Sequence, residues 1–278
     1  MVSAQRSETC PDIDWGAPWL APLAARGQAV ARAWAAGQAL HAALNAQLQA
    51  PVRFVPQDAL GARQTYEMHV AECGQVPTRD NRHDLFNGLA WGLWPHLKSR
   101  LNALHAQALA ADVHEAKRRG PLRDALTLWD ENGAIWLAPE PLWQALRAHD
   151  WQRLWVTERA RWAETKLWLV GHALMEQLVT PRKGLTAHVW LMPREENAHA
   201  LRLLHSAGEA AAQAWLDARI GAALLAQDLQ PKPFTPLPVL GVPGWWPANE
   251  DPTFYGDAQV FRPQRRVPPE AVRWITRP

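Results

Sequence analysis

Apolar residues recur at helical spacing along most of the chain and at strand spacing in only a few places. Within the Ala-rich run 21–50, Val30, Trp34, Gly37, His41, Leu44 and Leu48 fall on one face at alternating steps of four and three. This spacing predicts one amphipathic helix stopped by Pro51, with Gly37 leaving room for another element to approach. VRFVPQ (52–57) is short and β-branched and reads as a strand, and 63–73 reads as a short helix closed by Gly74. Asn81 with Asp84 three residues on resembles a capping box. A helix therefore starts there and runs, kinked at Pro95, to about Lys117.

Asn132-Gly133 is the preferred pair for a type I′ turn and sits between alternating apolar residues. It predicts a β-hairpin over 125–138 with Trp129 opposite Trp136. Residues 140–149 and 151–179 read as helices, 184–193 as a strand and 195–227 as a long Ala-rich helix. From Pro231 the chain is too proline-rich for a helix or a central strand, yet residues such as Phe234, Leu240, Trp245, Phe254 and Phe261 are too apolar to stay in water. The expected fold is α+β and predominantly helical. An N-terminal tail (1–20) precedes a single helical body (21–230), whose small sheet is made by 52–56, the 125–138 hairpin and 185–191. A Pro/Trp-rich C-terminal arm (231–278) packs on that body.

Composition narrows the classes. At 278 residues, 48% hydrophobic and 20% charged, the chain has the makings of an ordinary globular core and not of a disordered one. A net charge of +2 gives no global pull toward nucleic acid or an anionic membrane. No apolar run reaches the roughly 18 residues of a membrane span, and the first residues lack the layout of a secretory signal. Two cysteines, Cys10 and Cys73, without a CxxC pair fit a reducing cytoplasm. The 17 tryptophans read as core, with Trp245-Trp246 alone placed where an exposed stacking surface is conceivable. Arg262, Arg265, Arg266, Arg273 and Arg277, offset by Glu270, read as a solvated face, so nucleic acid is not an expected partner.

Strong catalytic motifs are missing: there is no GxGxxG, GxxxxGK[ST], GxSxG or HExxH. The chemistry left is in the 11 histidines. His83-Asp84 resembles the His-Asp pair of metal-dependent phosphohydrolases, but the chain holds a second such dipeptide, His149-Asp150, so the pair alone assigns nothing. Its context says more. His83, Asn87 and His105 share one face of the 81–117 helix with Trp94 and Leu101, flanked by Lys98 and Asn102, and polar groups on an inward stripe need partners. His172 and Glu176, four apart, point the same way, and His188 on the next strand completes a tetrahedral set for a divalent metal such as Zn²⁺ or Mn²⁺. His83, Asp84 and His105 are the candidate catalytic groups, His83, His172, Glu176 and His188 the candidate ligands. Arg79 and Asn87 are the candidate contacts for an anion or substrate. Each has a plainer reading: a core histidine bonded to Glu176, asparagines that satisfy backbone, an Arg-carboxylate pair that pins a loop.

VPTRDNRHDLFNGLAW, RDALTLWDENG, VGHALMEQLVTPRKGLTAH and PLPVLGVPGWWPANEDPTFYGDAQVFRP together resemble a bacterial family known as domain of unknown function 3025, over roughly 52–265. The resemblance implies a proteobacterial-type cytoplasmic protein and brings no reaction, fold or cofactor with it. Two functions stay open: a hydrolase-like enzyme with a His/Asp/Glu pocket, or a non-catalytic binding protein using the arm and the basic tail. They differ in whether His83, Asp84, His105 and His172 line one pocket or lie scattered in the core.

Overall fold

A computed structural model describes residues 12–62, 64–115, 120–229 and 234–263. The Ala-rich run forms two helices, α1 (Ala24–Ala35) and α2 (Leu40–Gln47), not one. Gly37, at φ +93°, takes the left-handed conformation that ends α1, and no other element approaches it. The Leu40 N–H that opens α2 donates to the Asp80 carboxylate at 2.8 Å. The strand β1 (Arg53–Pro56) follows, then α3 (Tyr66–Cys73), β2 (Gln75–Thr78), α4 (Arg82–Leu93) and α5 (Pro95–Glu115). Thr65 caps α3, Gly74 ends it at φ +64°, and Asn81 caps α4 through the Asp84 N–H at 2.8 Å. β1 pairs in parallel with β2 as a separate two-stranded sheet, so 52–56 does not join the main one.

The hairpin expected over 125–138 is not formed. Residues Pro121–Asn132 are helix α6, and only Gly133–Leu137 form a strand, β3. Gly133 has φ −73° and ψ 154°, so Asn132-Gly133 makes a helix-to-strand junction instead of a type I′ turn. Packing decides it. Ala125, Leu126 and Trp129 bury one helical face, and Trp129 meets Trp190 at 5.5 Å and Phe234 at 5.9 Å, while Trp136 lies against Trp143 and Trp162.

After α7 (Glu140–Arg147), residues 151–179 are not one helix. They give a π-helical turn, a 3₁₀ turn, the strand β4 (Lys166–Leu169) and the short helix α8 (His172–Gln177). β5 (Thr186–Trp190) lies where a strand is expected. The run 195–227 is split at Gly208, φ +89°, into α9 (Arg194–Ala207) and α10 (Glu209–Ala223). The arm opens with a strand, β6 (Phe234–Pro238). The main sheet has the order β4-β3-β5-β6, with β3 antiparallel to β4 and parallel to β5, and β6 antiparallel to β5. Pro236 and Pro238 are accommodated because β6 is an edge strand.

β3 is buried at all five positions, since the sheet separates two apolar layers. Ala134 and Trp136 face one with Leu167, Ala187 and Leu237; Ile135 and Leu137 face the other with Trp168 and Trp190. The result is a predominantly helical α+β fold with a small sheet. The arm is packed. Val239, Leu240, Phe254, Tyr255 and Phe261 are buried, Arg159 bonds Tyr255, Asn249 and Glu250, and Trp155 stacks on Tyr255 at 5.6 Å. Among the described residues twelve tryptophans are buried, and Trp245 and Trp246 are half-buried against the core, with Trp245 against Trp19. The pair is thus not the exposed stacking surface its sequence context allows. Arg265, Arg266, Glu270, Arg273, Arg277 and Cys10 lie outside the described residues.

One junction positions the site. Val170 and Gly171 both donate their N–H to the Gly133 carbonyl at 2.9 Å, which lays the start of α8 against the end of α6. A Cβ on Gly171 would lie 2.4 Å from the Asn132 nitrogen and the Glu131 oxygen, both backbone atoms that cannot move aside cheaply. Gly171→Ala is expected to cost about 1–3 kcal/mol or more in chemical denaturation. A variant as stable as the wild type would show that this close approach does not matter.

Candidate functional site

Helices α3, α4, α5, α6 and α8 enclose a cavity of about 360 Å³, lined by Tyr66, Arg79, His83, Asp84, Asn87, Trp91, Lys98, Asn102, His105, Asp130, Glu131 and His172 among others. At its centre are two imidazoles. His83, from the first turn of α4, and His172, the first residue of α8, have ring centroids 4.5 Å apart and Nε2 atoms 3.1 Å apart. Each Nδ1 is already committed. His83 Nδ1 lies 3.0 Å from Glu176 Oε2, and His172 Nδ1 lies 2.8 Å from the Asp130 backbone carbonyl. A carbonyl and a carboxylate only accept, so both Nδ1 atoms carry the hydrogen. In the neutral tautomers this sets, both Nε2 atoms present lone pairs to each other. Neither can donate, so the contact calls for a cation or an added proton between them.

Glu131 supplies a third donor atom: its Oε1 lies 3.8 Å from His172 Nε2. One ligand atom each from His83, Glu131 and His172 fall within 4.8 Å of one another, the one such grouping found among the described residues. Two zinc–nitrogen bonds of about 2.0–2.1 Å at a tetrahedral angle put the nitrogens roughly 3.3 Å apart, close to the separation seen. Glu176 and the Asp130 carbonyl then act as outer acceptors that fix ring orientation and tautomer.

The surrounding charges are largely paired. Lys98, 4% exposed, donates to Asp130 Oδ1 at 2.5 Å and to Asn87 Oδ1 at 3.0 Å, and Asn87 Nδ2 donates to the Tyr66 hydroxyl oxygen at 3.0 Å. Arg79 donates from Nε and Nη2 to the two oxygens of Asp84, which also accepts the Arg79 backbone N–H at 2.6 Å. Among the described residues neither Glu131 nor Glu176 is bonded to a lysine or arginine; both face the histidines, and Lys98 acts on Glu131 only from a distance. Burial pushes the His172 pKa down to about 4, against a smaller pull upward from Asp130. Burial pushes Asp130 up, but Lys98 and His172 outweigh it and hold the carboxyl below its usual range. Burial and then the Asp130 charge raise Glu131, and burial raises the Tyr66 phenol.

The structure thus brings His83, Asp84, Asn87, His105, His172 and Arg79 to one cavity. It does not bring in His188, which lies on β5 opposite Gly133 and is not among the lining residues. His172 and Glu176 do not pair either. Since α8 begins at His172, its ring turns toward α6, and Glu176 bonds His83 instead. Asp84 is 7% exposed with both oxygens held by Arg79, a group that shapes the loop before α4. Glu131 and Tyr66 are the residues the sequence reading missed. The one signal for Glu131 was its place beside Asp130 at a helix C-terminus, hidden by reading that stretch as a hairpin.

Because His172 titrates near 4 when folded and near 6.5 when unfolded, the unfolded state takes up the proton first as pH falls. This contribution is complete above pH 6.5 and is lost toward pH 4. Denaturant titration of metal-free protein is expected to show wild type losing up to about 3 kcal/mol over that window relative to His172→Asn, which keeps a donor for the Asp130 carbonyl. Parallel pH profiles for the two would contradict the burial of a neutral ring.

Neither the curated proteins nor the solved structures contain a match to this chain. A family model, described as a protein of unknown function (DUF3025), matches residues 52–265, which include every residue of the His83–Glu131–His172 grouping. The chain belongs to the DUF3025 family.

Proposed function

We propose that the cavity is the active site of a metal-dependent, hydrolase-like enzyme, with one divalent ion, Zn²⁺ or Mn²⁺, held by His83 Nε2, His172 Nε2 and a Glu131 oxygen. The observation that carries this reading is the pair of Nε2 atoms at 3.1 Å with both Nδ1 hydrogens already given to acceptors. A proton between the rings would satisfy the same contact. The two carboxylates beside the rings, Glu131 and Glu176, favour the doubly charged ion.

Three protein ligands leave a coordination position open, the arrangement of a catalytic rather than a structural site. Bound there, the metal would lower the pKa of a water and polarise a substrate oxygen. His105 lines the same cavity, and in this reading it carries a proton to or from the reacting group. Asp84 acts at one remove, through Arg79. Among the described residues no helix is long and apolar enough to cross a membrane. We place the protein in a reducing cytoplasm on its cysteine usage, two residues without a CxxC pair.

Elemental analysis of protein dialysed against Zn²⁺ or Mn²⁺ is expected to find one ion per chain. His83→Ala and His172→Ala should each abolish it, and Glu176→Gln should weaken affinity about 10–100-fold. A wild type that retains no ion, or alanine variants that retain it, would overturn the reading.

A further inference from the structure

We propose that the end of this cavity bearing Arg79 binds a carboxylate of the substrate, through the Tyr66 hydroxyl hydrogen and the outer edge of the Arg79 guanidinium. This deepens the metal-dependent reading, which concerns the reacting end of the substrate, by naming the group carried at the other.

The direction of the hydrogen bonds carries the argument. A lysine ammonium only donates, so the Asn87 oxygen faces Lys98 and the Asn87 NH₂ group faces Tyr66. The Tyr66 oxygen is therefore an acceptor in that contact, and its own hydrogen is left for something else. Among the described residues the phenol oxygen has Asn87 at hydrogen-bond distance and Trp91 beside it, both of them donors, and the ring lines the cavity. Lys98 and Asn87 are both buried, and Asp130 grips the ammonium from the other side, so the orientation is fixed from within. Trp91 adds its indole N–H on the side of the phenol oxygen, again a donor and not an acceptor. Tyr66 is thus a preset neutral donor.

Arg79 has a complementary free edge. Asp84 takes Nε and one Nη2 hydrogen, which leaves the Nη1 hydrogens and the second Nη2 hydrogen without a protein acceptor among the described residues. The side chain is 52% exposed and within electrostatic reach of Tyr66. Charge then selects the ligand. Asp84 compensates Arg79, Asp130 compensates Lys98, and Glu67 and Glu131 also line the cavity. A phosphate dianion would meet these carboxylates with little cationic charge to offset them, whereas a carboxylate brings a single charge and a planar fork that matches the guanidinium edge.

The test is acetate titrated into metal-free protein and followed through its methyl signal by saturation-transfer NMR, with inorganic phosphate added as a competitor whose binding is read as loss of that signal. Wild type is expected to bind acetate in preference to phosphate, and Tyr66→Phe to weaken acetate about tenfold, the loss of one hydrogen bond to a charged group, with thermal unfolding little changed. Asn87→Asp gives a second route. An aspartate still accepts from Lys98 but also accepts the Tyr66 hydrogen, so acetate should bind Asn87→Asp/Tyr66→Phe no more weakly than Asn87→Asp alone. Wild type that fails to bind acetate, equal binding by Tyr66→Phe, or tighter binding of phosphate would overturn the proposal. Zinc and manganese uptake by the same preparations reports separately on the metal. Acetate binding that depends on Tyr66 in a protein that takes up neither zinc nor manganese would sink the metal reading and leave the carboxylate subsite standing.

Discussion

The meeting of His172 with Asp130 and Glu131 hangs on one backbone oxygen. The Gly133 carbonyl accepts two N–H donors, from Val170 and Gly171, and so ties the end of β4 to the start of β3, immediately after α6. The contact is close enough that only a glycine fits at 171. It makes two chain segments about forty residues apart adjacent, and they carry Asp130 and Glu131 on one side and His172 on the other. β3 cannot shift to relax this contact, because all five of its residues are packed between two apolar layers. The scaffold is rigid where the chemistry needs it rigid.

That rigidity allows an arrangement that would otherwise be avoided. Two imidazole lone pairs at hydrogen-bond distance repel, and in water the rings would simply rotate. Here the Asp130 carbonyl fixes one ring and Glu176 the other, and on the proposed reading a positive charge between them relieves the repulsion. The paired charges around them have a second effect. Lys98 is occupied by Asp130 and Asn87, and Arg79 is half occupied by Asp84, so neither cation is free to swing in and satisfy Glu131.

Much of this was legible in the sequence, and the failures have physical causes. Asn81 as a cap, Pro95 as a break and Gly74 as a terminator are local signals, and the chain obeys them. Polar residues on an inward stripe pointed to His83, Asn87, Lys98 and His105 because burial makes unpaired polar groups costly. Residues 125–138 misled because a helix and a fully buried strand meet in the middle of them. Ala125, Leu126 and Trp129 follow one period and 133–137 follow none, and read together they imitate alternation. Lys166–Leu169 misled for the same reason: a short strand covered on both faces shows no alternation to mark it. Glu131 went unnoticed as a direct consequence, since its partnership with two histidines is created by the junction and not by spacing along the chain. The same holds for Tyr66, which is tied to Asn87 only through the packing of α3 beside α4 and α5.

The claim at the centre is that the two Nε2 atoms share a divalent ion. Anomalous diffraction at the zinc edge, from crystals of protein dialysed against zinc and then washed free of excess, tests it directly. The account requires a single strong peak about 2.0–2.2 Å from both His83 Nε2 and His172 Nε2 with a Glu131 oxygen at a similar distance. Neither zinc nor, in parallel crystals dialysed against it, manganese at that point, with the two nitrogens still about 3 Å apart, would mean that a shared proton and not a metal holds the rings.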